Sequence, residues 1–245
     1  MATPGELRNQ AIAALKARDR PACLAALTRL SAQEADTALP WQGLARMADA
    51  LNACDLARTL SARALAQGPG QLTDHLGHLA LMAKCGQVEP ALARARALRP
   101  AHGDQPSLNH LIGVLAAQMG DSDAAIEALR AALERAPLSG ASWIILVSAK
   151  HVTADDVDYQ RLESLRPDFA GQPPEVHASL LFALAKCRHD IGAHGDAFRD
   201  YEAGAAIMRT LRPYRSRAAS ALARQVMHEF DRAEPGLRPS QCRSA

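Results

Sequence analysis

A chain of 245 residues that is 48% hydrophobic can bury a sizeable core. With only 4% aromatic residues, however, it is poorly supplied for a β-sandwich, whose strands draw on aromatic and β-branched side chains. Lys and Arg number 28 against 26 Asp and Glu, and a net charge of +2 argues against an obligate polyanionic partner, so that nucleic acid is left to a local patch at most. A core of Ala and Leu suits closely packed helices.

The five cysteines, Cys23, Cys54, Cys85, Cys187 and Cys242, are far apart, odd in number and form no C-x-x-C pair, which reads as reduced thiols. Glu6, Arg8, Lys16, Arg18 and Asp19 interrupt the one apolar run that could resemble a secretory signal. No apolar stretch reaches the roughly 18 residues that span a bilayer. The expectation is a cytoplasmic protein with no membrane partner and no cofactor.

In chain order, the first unit opens at Pro4, with Leu7, Ala11 and Ala14 on one helix face, a turn at Asp19, Arg20 and Pro21, and Cys23, Leu27 and Leu30 on a second helix. Pro21 is tolerated at the start of that helix because its missing N–H has no intrahelical partner there. Cys23 stands at a small buried position and reads as core. Further units open at Ala38, Leu72, Pro106 and Gly140, each thirty-four residues after the last. The fourth is the clearest helical hairpin: Ile112, Gly113 and Ala116 share one face, Gly120 and Asp121 make the turn, Ala125, Leu129 and Ala132 face inward, and Pro137 ends it. Gly113 and Ala125 are small where two helices must touch. One such hairpin leaves an apolar side open, which only a neighbouring unit can cover.

The second unit carries Trp41, Leu44, Ala45, Ala48, Ala57, Ala64 and Pro69. This W-x-x-L-A-x-x-A arrangement with a closing Pro resembles the tetratricopeptide repeat. The third is degenerate: His75 and His78 stand where that family prefers Trp and Leu, while Gly86, Ala91 and Leu98 keep the frame. A His pair three apart can hold a metal, but no third ligand sits at a helical spacing, so interface histidines are expected. Asn109 takes the aromatic position of the fourth unit, and Trp143 with Leu146 restores it in the fifth. There Thr153, Asp155 and Asp156 read as the start of a helix over 155–165, with Thr153 as cap. Gly171, Pro173 and Pro174 lengthen the next link, so the sixth unit is placed at 178, with Leu181, Leu184, Ala185, Gly192, Ala197, Tyr201 and Gly204. Ala218, Leu222, Val226 and Phe230 then mark a closing helix.

The resemblance implies an all-α, right-handed solenoid of about six antiparallel helix pairs. Its units are 4–37, 38–71, 72–105, 106–139, 140–177 and 178–211, with a closing helix at 214–231 and a disordered tail at 232–245. Residues 143–230, with T-A-D-D, F-A-L-A-K-C, G-D-A-F-R-D-Y-E-A-G and A-L-A-R-Q-V-M-H-E-F, are similar to the repeat half of bacterial tetratricopeptide-repeat sulfotransferases. In that family the repeats precede a domain that uses 3'-phosphoadenylylsulfate, bound by a P-R-S-G-T-T-like loop. After Phe230 the sequence DRAEPGLRPSQCRSA offers neither an apolar strand nor such a loop, so no catalytic or cofactor residue is carried over. The expectation is a non-enzyme that binds protein, the alternative being the substrate-recruiting half of a sulfotransferase whose catalytic domain lies in trans. Small-molecule sensing is disfavoured because no pocket-forming polar cluster is visible.

In the repeat family the first helix of each unit lines an inner face, through frame positions 2, 5, 6, 9 and 13. These give Arg8, Asn9, Lys16, Gln42, Arg46, Thr73, Lys84, Ser107, His110, Gln118, Ser148 and Lys186. Arg8, Lys16, Arg46 and Lys84 make the first half basic, which suits an extended acidic peptide or a carboxyl terminus. The Lys and Asn pattern of chaperone-tail binding repeats is not reproduced, since Ile12 and Gly43 stand where its asparagines would. Arg209, Arg212, Arg215, Arg217 and Arg224 form a second basic cluster, read as solvent-facing; few aromatics are available to stack bases. Asp155, Asp156 and Asp158 read as helix-start acids, and Cys187, His189 and His194 as residues split between two helices with no shared chemistry.

Overall fold

The computed structural model describes residues 2–33, 39–67 and 70–232, and among these it contains helices and no strand. The tail expected at 232–245 lies outside them from residue 233 onward, as do Cys242 and the closing Pro69. Five helical hairpins are formed by α1 (Pro4–Lys16) with α2 (Arg20–Ala32), α3 (Trp41–Ala50) with α4 (Cys54–Ala66), α5 (Leu72–Lys84) with α6 (Val88–His102), α7 (Pro106–Gln118) with α8 (Ser122–Arg135), and α11 (Pro174–Asp190) with α12 (His194–Leu211). Between the last two, α9 (Gly140–Ser148) is followed by the short α10 (Val157–Ser164) and a 3-10 turn at Arg166–Gly171. First helices stack on first helices, α5 on α7, α7 on α9 and α9 on α11, while α2 meets α4 in a second layer.

The thirty-four-residue frame is visible in the backbone. Arg18, Asn52, Gly86 and Gly120 follow the first helices of successive units, each with a positive φ of 59°, 55°, 81° and 78°. A left-handed residue at this point lets the chain reverse directly into the second helix, and two of the four turns meet the requirement with glycine. Gly192 repeats it at φ 80°. Its four-residue displacement from the frame arises inside α11, which starts at Pro174 and is one turn longer than α1, α5 or α7. The sixth first helix therefore begins a turn before the expected position 178.

Contacts between helices follow the small residues. A Cβ on Gly113 would sit 2.5 Å from Leu129 Cγ and 3.3 Å from the Ala125 carbonyl oxygen, so α7 and α8 touch as their sequence requires. Both tryptophans point inward, Trp41 at 2% and Trp143 at 0% exposure. Each lies under an arginine from the second helix of its own unit, with Arg63 5.3 Å and Arg161 6.0 Å from the ring centroids. Those arginines also donate to the preceding unit, Arg63 to the Gln33 carbonyl at 2.7 Å and Arg161 to the Leu133 carbonyl at 2.9 Å. A buried Trp and an Arg thus tie one second helix to the next.

Two expectations near the C-terminal end are corrected. The cap of α10 is Asp156, whose carboxylate accepts from the Asp158 N–H, while Thr153 donates its hydroxyl to Asp155. Asp158 is no solvated helix-start acid; it is 4% exposed and paired with Arg130 and Lys150. Beyond α12, α13 (Ser216–Arg232) forms, but its described apolar side chains are open to solvent, with Leu222 62%, Val226 55% and Met227 66% exposed. Its described side chains do not cover α12, on which Phe198 is itself 67% exposed.

The buried apolar residues fall into two clusters. One spans α1 to α4, from Leu7 to Leu60; the other runs from Leu79 on α5 to Cys187 on α11. The break falls at the joint between α4 and α5, where a polar pair, Ser61 and His78, takes the place of apolar side chains.

Candidate inner-face site at the joint of the second and third units

Around this joint the first helices α3 and α5 leave a cleft of about 280 Å³, lined by Gln42, Ala45, Arg46, Asp49, Ser61, Thr73, Asp74, Gly77 and Leu81. Three residues read from frame positions, Gln42, Arg46 and Thr73, come together here. Gly77 lacks a side chain to fill the space, and nothing lies within 4 Å of where its Cβ would be.

Charge in the cleft is set by which groups are already engaged. Lys84 donates to Asp49 at 2.5 Å, and that hydrogen bond holds the ammonium pKa above its usual value. Asp74 accepts from the Gln71 N–H at 3.1 Å and so belongs to the start of α5. Arg46 is exposed and forms no salt bridge among the described residues. Among the described residues Arg46 thus lacks a carboxylate partner, Asp49 is offset by Lys84, and Asp74 keeps its negative charge at the start of α5. Asp49 and Asp74 were not visible as site residues, because frame positions mark which residues face inward but not which acids lie beside them.

The other residues read as an inner face divide into free and engaged groups. Asn9, Lys16, Ser107, Gln118 and Ser148 are exposed on first helices. Arg8 donates to the Oδ1 of its neighbour Asn9 at 3.2 Å. His110 is turned into the α7–α9 contact, where its Nδ1 shares a 2.9 Å hydrogen bond with the Ser142 hydroxyl and burial lowers its pKa. Lys186 donates to the Lys150 carbonyl at 2.6 Å and to Asp190 at 2.5 Å. Both hold the stack together and offer little to a ligand. The arginines Arg209, Arg212, Arg215, Arg217 and Arg224 are all exposed.

Cys187, His189 and His194 show no assembled chemistry. Cys187 is fully buried, and burial pushes its thiol up to about 12, far from the thiolate a nucleophile needs. His189 and His194 lie with ring centroids 5.2 Å apart across the turn. Among the described residues no group of three or more His, Cys, Asp and Glu is placed to hold a metal ion, and no helix is long and apolar enough to cross a membrane.

A comparison with protein-family models found no match, and a comparison with curated proteins found none. Among solved structures, the chain is similar to a tetratricopeptide repeat protein from Parabacteroides merdae ATCC 43184, with TM-score 0.58 and 17% identity over 81% of this chain and 77% of that one. The fold is an all-α solenoid of the tetratricopeptide type. The MamA protein is also similar, at TM-score 0.49 and 12% identity over 71% of this chain and 94% of that one. These likenesses concern the fold, and they do not bear on the sulfotransferase resemblance of residues 143–230.

Proposed function

We propose that this chain is a non-catalytic protein-interaction module that receives an extended, net acidic peptide segment on the inner face of its first helices, with the α3–α5 cleft as anchor. The supporting observation is Arg46: a guanidinium at an open cleft, without a carboxylate partner among the described residues, next to acids that are already engaged. An acidic side chain or a terminal carboxylate can take a paired, charge-assisted hydrogen bond from it. Gln42 and Thr73 lie on the same cleft wall and can meet the peptide backbone. Lys16, exposed at the end of α1, extends the positive potential along the same layer.

The test is fluorescence anisotropy with a fluorescein-labelled peptide rich in Asp and Glu, and with its Asn and Gln counterpart. The acidic peptide should bind more tightly, and added salt should weaken it. Arg46→Glu should weaken binding by about tenfold or more, while circular dichroism stays helical. Equal affinity of the folded variant and the parent protein for the acidic peptide would remove this site.

A further inference from the structure

Comparison of the units at a single frame position exposes a second site, on the other side of the Ser61–His78 pair. In the second and fifth units that position holds Trp41 and Trp143, each buried between its own second helix and the one before, under Arg63 and Arg161. In the fourth unit Asn109 is fully buried, and the place is completed by Arg99 of α6, which donates to its Oδ1 at 3.2 and 2.9 Å. In the third unit the residue is His75, and among the described residues neither a Trp nor an Arg–Asn pair fills the gap between α4 and α6. What is left is a cavity of about 380 Å³ lined by Ala62 and Leu65 of α4, His75, His78 and Leu79 of α5, and Arg94, Ala97 and Leu98 of α6.

The chemistry of this cavity is that of an amphipathic anion site. Its walls are mostly apolar, and its size lies within the range of small-molecule pockets. Its polar groups are two imidazoles and one guanidinium. His78 is 5% exposed and shares a 3.2 Å hydrogen bond with the Ser61 hydroxyl; burial, followed by the charges of Arg94 and Arg58, keeps its pKa below the usual histidine value. Arg94 donates to the Met82 thioether at 3.6 Å, a weak acceptor, and forms no salt bridge among the described residues. Arg94 is exposed at the rim of an apolar hole, with no salt-bridge partner among the described residues, and is complementary to a ring or short chain ending in a carboxylate.

We propose that the α4–α5–α6 cavity binds a small aromatic monocarboxylate, whose ring takes the space that Trp41 and Trp143 occupy in their units and whose carboxylate meets Arg94, with His75 beside it. This site is independent of the inner-face cleft and stands or falls separately.

Indole-3-propionate is the probe, since it pairs a tryptophan-like ring with a carboxylate. The experiment is isothermal titration of the full chain with indole-3-propionate and with its primary amide, accompanied by amide NMR mapping. Saturable one-to-one binding of the acid is expected, with shifts centred on residues 62–65, 75–79 and 94–98. Arg94→Gln should weaken the acid by about tenfold and leave the amide unchanged within about twofold. His75→Trp, which installs the ring found in the neighbouring units, should abolish binding of both probes and raise the melting temperature. If His75→Trp fails to fold, Ala97→Phe fills the same space from α6 and should also abolish binding. The proposal is overturned if the parent protein shows no saturable binding at millimolar probe, if the shifts map to other helices, or if Arg94→Gln weakens acid and amide equally.

Discussion

Burial alone would push the Asp158 carboxyl up, yet it is held below its usual value because Arg130 donates to it at 2.8 Å and Lys150 at 2.5 Å. Lys150 also reaches Asp156, so one ammonium ties the cap of α10 to its buried acid. His78 and His110 are the opposite case, cations disfavoured by burial at the seams between units. The signs give two separate losses on acidification. A histidine whose folded pKa is lowered lets the unfolded chain take up protons first, so stability falls as pH drops below about 6.5. An aspartate whose folded pKa is lowered keeps its contribution until pH falls beneath the ordinary carboxylate value, about 3.9. Urea midpoints measured from pH 7 to pH 3 should therefore decline in two stages, and the double substitution His78→Asn, His110→Asn should flatten the first. A flat parent profile between pH 7 and pH 5 would contradict this. Asp158→Ala should cost about 2 kcal/mol or more at neutral pH, because it leaves Lys150 only 15% exposed and short of a partner.

The element that repeats most faithfully is the left-handed turn after the first helix, present in every unit but the fifth. Gly86 and Gly120 adopt its left-handed conformation without a Cβ, whereas Arg18 and Asn52 carry one there. A non-glycine residue in that region costs about 1 kcal/mol, less for Asn. Thermal unfolding should show Gly120→Ala destabilised by about 1 kcal/mol and Arg18→Gly unchanged or slightly more stable. A stable Gly120→Ala would mean that the turn is looser than its φ implies. The hairpins themselves were legible because Gly113, Ala125 and Leu129 report on the helix contact directly. What escaped was long-range. Arg63 and Arg161 bracket the tryptophans through partners about thirty residues away, and Asp158 finds Arg130 from a different hairpin. The helical pattern at 214–231 was equally plain, but amphipathicity says that a face wants covering and not what covers it.

Across the whole molecule, periodicity conveyed the stacking and concealed the division of the buried core. The buried core divides between Leu60 and Leu79, and both cavities lie against α5 at that division, separated by the Ser61–His78 pair. A repeat that departs from its pattern, as His75 and His78 do, could be seen in the sequence as degenerate. That the departure opens space on two sides of one helix depends on Gly77, Ala62 and Ala97 being small in three different helices at once. Gln42, Arg46 and Thr73, read from frame positions, line one cleft, whereas His110 and Lys186 are hydrogen-bonded to Ser142 and Lys150 of neighbouring units. Stacked units whose buried core is divided at one seam can open there separately, and a ligand bridging α3 and α5 would oppose that opening.

Hydrogen exchange measured with and without a saturating acidic peptide tests this account most directly. Slowed exchange concentrated in 41–50 and 72–84, extending along the first helices and absent from 88–102 and 122–135, is the predicted result. Protection confined to the second helices, or none at all under conditions where the peptide is bound, would contradict it.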